Sequence, residues 1–91
     1  MKEVADLVTP IAKEYGAREV CVYGPYARGN ADGNSVVNLY FRFKGPLGFS
    51  YGGVYMDLMK AFDGRMSLAS EGSNPKLVER IEAEKVSVYA E

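Results

Sequence analysis

Val20-Cys21-Val22-Tyr23-Gly24-Pro25-Tyr26-Ala27-Arg28-Gly29 opens the part of the chain whose reading decides the fold. It continues through a polar segment, Asn30-Ala31-Asp32-Gly33-Asn34-Ser35, into Val36-Val37-Asn38-Leu39-Tyr40-Phe41-Arg42-Phe43. Branched and aromatic residues make both ends strand-formers, from about Glu19 to Tyr23 and from Val36 to Phe43. Gly24-Pro25 interrupts the first, and Pro25 suits the opening position of a short helix through Ala27 and Arg28. Asp32-Gly33-Asn34 signals a turn. A strand, a tight turn bearing an arginine and a second strand form a layout common in phosphate-handling proteins. The faces of the second strand differ at a period of two. Val37, Leu39, Phe41 and Phe43 are expected on the core. Val36, Asn38, Tyr40 and Arg42 form the face expected to carry any site.

Upstream, Val4, Leu7, Val8, Ile11 and Tyr15 recur on one helical face, and Gly16 is a natural stop. Pro10 falls inside this pattern and cannot donate to the preceding turn, so a kink or a second short helix is expected. Downstream, Lys44 to Gly53 is rich in glycine and predicts a mobile loop, with Phe49 and Tyr51 packed down onto the domain. Val54, Tyr55, Leu58, Met59 and Phe62 predict a helix that Asp63-Gly64 ends. Arg65 to Ala69 reads as a short strand, with Met66 and Leu68 inward and Ser67 on the opposite face. Asn74 suits an N-cap and Pro75 a first helical position, opening a helix to about Glu84 that buries Leu77, Val78 and Ile81. Val86-Ser87-Val88-Tyr89 adds a short edge strand. The whole, residues 1–91, reads as a single domain of the α/β (α+β) class, a small mixed β-sheet packed with helices.

The bulk composition, 47% hydrophobic and 25% charged in 91 residues, is that of an ordinary soluble globular chain. A formal net charge of -1 argues against a nucleic-acid partner, which draws on a basic surface. The lone Cys21 cannot form an internal disulfide and fits a reducing compartment, so a cytoplasmic location is expected. Within a strand it reads as a small buried hydrophobe rather than a nucleophile. The sequence has no histidine, which removes Ser-His and Cys-His nucleophilic pairs and histidine metal ligands together. No apolar run approaches a membrane span, and Met1-Lys2-Glu3-Val4-Ala5-Asp6 lacks a signal-peptide pattern, so no membrane role is expected.

Gly24-Pro25-Tyr26-Ala27-Arg28-Gly29, a five-residue spacer and Ser35-Val36-Val37-Asn38-Leu39 keep a recognisable order and spacing. They resemble the hallmark of the minimal nucleotidyltransferases (MNT), small members of the DNA polymerase β-like nucleotidyltransferase superfamily. That hallmark is Gly-Ser-x-Ala-Arg-Gly followed by Ser-Asp-x-Asp-Leu. The resemblance extends along the chain through Pro10-Ile11-Ala12, Tyr15-Gly16, Gly64-Arg65, Met66-Ser67-Leu68, Asn74-Pro75 and Val88-Tyr89. It implies the nucleotidyltransferase fold. It also implies a family chemistry, transfer of a nucleotide from a nucleoside triphosphate to a hydroxyl, with carboxylates holding the magnesium that orients the triphosphate.

By that resemblance the aspartate positions of the family are Val36, Asn38 and Ser67, and the serine of the Gly-Ser pair is Pro25. Valine has no ligand atom, asparagine and serine carry no charge, and proline offers neither a hydroxyl nor an N–H. Mg2+ is expected for the family, but its ligands are absent, so neither a metal site nor a catalytic residue is expected here. Asp32, Asp57 and Asp63 lack the alternate-residue placement on the second strand, and solvated or capping roles are expected for them. Gly24, Arg28, Gly29 and Ser35 remain as nucleotide-binding candidates for a weak contact. For Arg28 a structural ion pair or carbonyl contact is the favoured expectation, while Arg42 stands to add positive charge on the same face.

The resemblance therefore points to a degenerate member, a pseudoenzyme that has lost metal-dependent transfer and acts by binding. The implied partner is a helical protein, as in toxin–antitoxin modules, in an antitoxin-like or regulatory role, or a second copy of the chain. Two alternatives stand beside it. One is an active nucleotidyltransferase with a rebuilt site, and the other is a metal-free nucleotide- or anion-binding module.

Overall fold

Both central strands carry apolar side chains on both faces, so the sheet they form needs cover on two sides. The computed structural model describes residues 2–29, 36–45, 48 and 50–91 and shows how that cover is supplied. The elements run α1 (Lys2–Tyr15), β1 (Ala17–Tyr23), β2 (Val37–Phe43), α2 (Ser50–Ala61), β3 (Met66–Ser70), α3 (Pro75–Glu84) and β4 (Val86–Ala90). The strands form one mixed sheet in the order β3-β2-β1-β4. β1 pairs antiparallel with β2 and with β4, while β3 lies parallel to β2 after a crossover through α2. This is the α+β arrangement of helices and a small mixed sheet that the sequence predicts.

α1 and α2 cover one face. Val4, Val8 and Ile11 of α1 and Val54 and Leu58 of α2 pack with Val20, Val22, Leu39 and Phe41 in the larger core. A hydrogen bond ties the two helices together: the Tyr15 hydroxyl donates to Asp57 Oδ2 at 2.8 Å. Asp57 is therefore a half-buried acceptor rather than a solvated surface acid. Gly53 makes room for this contact, since a Cβ there would stand 2.8 Å from the Tyr15 hydroxyl.

α3 covers the opposite face. Ile81 packs with Cys21, Tyr40 and Ala69, flanked by Leu77 and Val78. The asymmetric side-chain pattern of β2 is thus only partly a division into core and site. Tyr40, expected on the site face, is 2% exposed beneath α3, and that face stays polar only toward its ends, at Asn38 and at Arg42.

Some boundaries differ from the expectation, each for a physical reason. The Pro25–Arg28 segment is a turn rather than a helix, closed by Arg28 N–H to Gly24 O at 3.1 Å and Gly29 N–H to Tyr26 O at 3.3 Å. α1 runs unbroken through Pro10, which lies on its exposed side. α2 begins at Ser50, so Ser50 to Gly53 are helical rather than loop, and the Tyr51 ring meets Phe43 edge-on with centroids 6.3 Å apart. The predicted packing of Phe49 and the predicted turn at Asp32-Gly33-Asn34 lie outside the described residues. Asp63 and Gly64 end α2 as predicted, in left-handed conformation with φ of 52° and 77°. Asn74 caps α3, its side-chain oxygen accepting from Lys76 N–H at 2.9 Å.

Ile81 is fully buried and is the main aliphatic contact between α3 and the sheet. Ile81→Ala is expected to destabilise the fold by about 2–5 kcal/mol through lost burial and the cavity left behind. Urea denaturation at constant m-value checks this.

Candidate functional site

The polar end of the α3-covered face is built where three strands meet. In register, Asn38 on β2 stands between Tyr23 on β1 and Ser67 on β3. Side chains at paired positions on neighbouring strands share one face, and here two of them bond: Ser67 Oγ donates to Asn38 Oδ1 at 2.7 Å. The amide side of Asn38 points at the turn that follows β1. A Cβ on Gly24 would lie 2.6 Å from Asn38 Nδ2, and Gly24 itself has φ of 78°. Glycine is required there twice over, by backbone conformation and by the close approach of the amide. Val36 lies just before β2 and is 47% exposed.

The turn is held by α3, on the same side of the sheet. Glu84, the last residue of α3, reaches back with both carboxylate oxygens. Oε1 accepts from Gly24 N–H at 3.1 Å, and Oε2 accepts from Arg28 Nη1 at 2.9 Å. Arg28 therefore has the structural ion pair the sequence favoured, although the partner came from an element with no sequence signal for it. Gly29 lies in the same turn with φ of 75°, exposed to solvent. Ser35 and Asp32 lie outside the described residues.

Further along the same face a charged cluster surrounds Glu19. Its Oε1 lies 3.4 Å from Arg42 Nη1 and 3.5 Å from Lys85 Nζ, while Arg42 Nε approaches Glu71 at 3.8 Å and Lys85 pairs with Glu82 at 3.0 Å. Arg42 is thus neutralised by two carboxylates rather than adding charge to the Asn38 end. Burial alone would raise the Glu19 carboxyl, but Lys85 and the hydrogen bonds from Arg42 and Lys85 outweigh it and hold it below the usual range. The neighbouring Cys21 is fully buried, and burial, reinforced by Glu19, pushes its thiol up to about 11. The thiol is then protonated at neutral pH and inert as a nucleophile, in keeping with a core role.

No protein-family model and no curated protein matches the sequence. Solved structures match it in fold. A chain of a toxin–antitoxin complex with AMP-PNP superposes with a TM-score of 0.79 over 96% of this chain and 73% of that one, at 12% identity. A chain of the complex of tri-AMPylated Shewanella oneidensis HEPN toxin with MNT antitoxin gives a TM-score of 0.74 over 100% of this chain and 74% of that one, at 9% identity. A protein provisionally described as a minimal nucleotidyltransferase is 27% identical, with a TM-score of 0.72 over 91% of this chain and 87% of that one. The chain has the minimal-nucleotidyltransferase fold.

Within that fold the donor set can be tested for a divalent cation. Magnesium selects oxygen ligands, carboxylates above all. Val36 offers no donor, and the oxygen of Asn38 already accepts the Ser67 hydroxyl. Among the described residues no group of three or more His, Cys, Asp or Glu side chains is placed to hold a metal ion. The described residues at this end of the minimal-nucleotidyltransferase fold do not fit the ion. They form a neutral hydrogen-bonded pair beside a turn tied down by an internal carboxylate.

Two outcomes follow from this geometry. Gly24→Ala should destabilise by more than about 2 kcal/mol, because the left-handed strain adds to the clash with Asn38. The same change in an Asn38→Ala background should cost about 1 kcal/mol less, a difference a denaturation double-mutant cycle reads directly. The second concerns pH. The Glu19 carboxyl is depressed by folding, so its stabilisation is present above the unfolded value and lost as pH falls through the folded one. Glu19→Gln should flatten the acid limb of the stability–pH curve, as followed by urea midpoints across the carboxylate range.

Proposed function

We propose that this chain is a pseudoenzyme: a nucleotidyltransferase fold that has given up metal-dependent nucleotidyl transfer and works by binding a protein partner. The observation that carries the reading is the Ser67–Asn38 hydrogen bond. By the sequence resemblance these are two of the aspartate positions of the family, and a neutral donor–acceptor pair has replaced two carboxylates there. The third, Val36, presents an alkyl side chain to solvent. Losing all of that negative charge removes the Coulombic attraction on which a divalent cation depends.

Support for a protein partner comes from the neighbours in fold. Two come from toxin–antitoxin complexes, one of them pairing an MNT antitoxin with a HEPN toxin. By analogy of fold we assign this chain an antitoxin-like or regulatory role toward a helical partner, with a second copy of the chain as the other candidate. No helix among the described residues is long and apolar enough to cross a membrane. The buried, unpaired Cys21 supports a reducing, cytoplasmic setting. We take residues 1–91 to act as one domain.

The decisive measurement restores what is missing. The parent chain, with labelled nucleoside triphosphates, Mg2+ or Mn2+ and a co-expressed HEPN-type partner, is expected to transfer no label to itself or to the partner. It is also expected to show no Mn2+ binding by calorimetry. The Val36→Asp/Asn38→Asp/Ser67→Asp variant is expected to gain Mn2+ binding by at least about tenfold, equivalent to 1.4 kcal/mol. Metal-dependent transfer by the parent chain would overturn the reading in favour of a rebuilt active site. Failure to form a complex with the partner, judged by size-exclusion chromatography, would overturn the antitoxin-like role alone.

A further inference from the structure

The sheet has two edges, β3 and β4, and they are finished differently. An edge strand presents N–H and C=O groups to any strand that can align with them, and proteins blunt such edges with bulges and charged side chains. β4 is blunted. Its register with β1 shifts between Val20 and Cys21, and the charges beside it are engaged within the chain, Lys85 with Glu19 and Glu82 and Glu91 with Lys44. β3 is not. Met66-Ser67-Leu68-Ala69-Ser70 pairs with β2 in unbroken register and includes neither a charge nor a proline. Arg65 O accepts from Val37 N–H at 2.9 Å, so alternation turns the backbone groups of Met66, Leu68 and Ser70 to the outer side. Ser70 is satisfied there by Ser73, whose Oγ accepts its N–H at 3.1 Å and whose N–H donates to its carbonyl at 3.0 Å. Among the described residues no backbone group outside the sheet bonds to Met66 or Leu68.

Leu68 is the midpoint of β3, and the first charged residues on either side, Arg65 and Glu71, stand at equal distances from it along the chain. We propose that β3 pairs antiparallel with β3 of a second copy of this chain, about a two-fold axis at Leu68. That axis sets each Arg65 opposite the other copy's Glu71, so unlike charges meet at both ends of the pair. Parallel pairing in the same register would set Arg65 beside Arg65 and Glu71 beside Glu71. An unrelated strand has no reason to carry the reflected charge pattern, whereas a second copy carries it by symmetry. The two Leu68 residues exchange both N–H···O bonds across the axis. Their half-buried side chains close over each other beside the larger core. Arg65 is exposed and lies on the α3 face, two positions before Ser67. Glu71 holds to the same face, 3.8 Å from Arg42 Nε, and its side chain is 49% exposed, which leaves it able to accept a second guanidinium. The dimer is then one sheet continuous across both copies.

Sedimentation velocity over a concentration series tests this. The parent chain is expected to associate to a dimer. Arg65→Glu and Glu71→Arg are each expected to weaken association at least about tenfold, because each sets like charges opposite one another at both ends of the pair. Arg65 and Glu71 also interact within their own chain, so the deciding arm is the mixture. Arg65→Glu combined with Glu71→Arg restores unlike charges at both ends and should return the dimer as a heterodimer, which a fold defect in either variant would not allow. Amide hydrogen exchange on the parent chain needs no variant: the Leu68 N–H should gain protection as concentration rises, while the amides of β4 should not. A parent chain that stays monomeric to about 1 mM overturns the proposal. So does a Leu68 amide whose exchange ignores concentration, a dimer indifferent to both charge reversals, or a mixture no more associated than its separate variants. The outcome does not depend on whether the chain transfers nucleotide or binds a helical protein, so it stands apart from the pseudoenzyme reading.

Discussion

The lateral register of β2 is the constraint on which the rest of the structure depends. Asn38 faces Tyr23 on one neighbouring strand and Ser67 on the other, and the same alignment sets Tyr40 opposite Cys21 and Ala69. A slip by one residue would turn every side chain of the strand to the other face. Leu39 and Phe41 would then leave the core beneath α1 and α2, and Asn38 would be driven into it. Two apolar layers, one on each side of the sheet, make such a slip prohibitive. The polar end of the face therefore inherits its geometry from packing that has nothing to do with function.

Into that fixed frame the chain places groups that satisfy one another. Ser67 donates to Asn38, Asn38 crowds Gly24, Gly24 donates to Glu84, and Glu84 holds Arg28. Buried side-chain nitrogen and oxygen atoms among the described residues all have partners. An active site commonly leaves polar groups poised for a substrate, with carboxylates gathered against their own repulsion. Here the described residues gather no carboxylates against one another, and donors are engaged internally. The region has the character of a structural junction between β1, β2, β3 and the end of α3.

Stability and charge tell the same story on the rest of that face. Glu19 lies between Arg42 and Lys85, which in turn lean on Glu71 and Glu82. Alternating charges of this kind help cover the open end of a sheet that α3, a helix of ten residues, does not span fully. At the same end of the sheet Lys44 pairs with Glu91, and the Glu91 N–H bonds to Arg18 O at 3.0 Å, fastening the end of β4 beside β1.

Much of the fold was legible in the sequence because it is encoded locally. Alternation marked β2, helical spacing marked α1 and α3, Asn74-Pro75 marked the start of α3, and Asp63-Gly64 marked the end of α2. The absence of carboxylates at Val36, Asn38 and Ser67 could likewise be read directly, since side-chain chemistry is a property of the sequence. The helical start of α2 was not legible, because Gly52 and Gly53 are poor helix formers on their own, while the contacts of this turn, Tyr51 against Phe43 and Gly53 beneath the Tyr15 hydroxyl, come from distant elements. Nor was the burial of Tyr40, which depends on α3 lying across it. The partner of Arg28 was the most hidden of all: Glu84 stands 56 residues away, and no period or motif links them. The sequence alone determined which elements form and which chemical groups the site lacks, because propensity and side-chain identity are local. Tertiary structure alone decided which groups meet, because strand register and helix placement bring together residues that the chain keeps far apart.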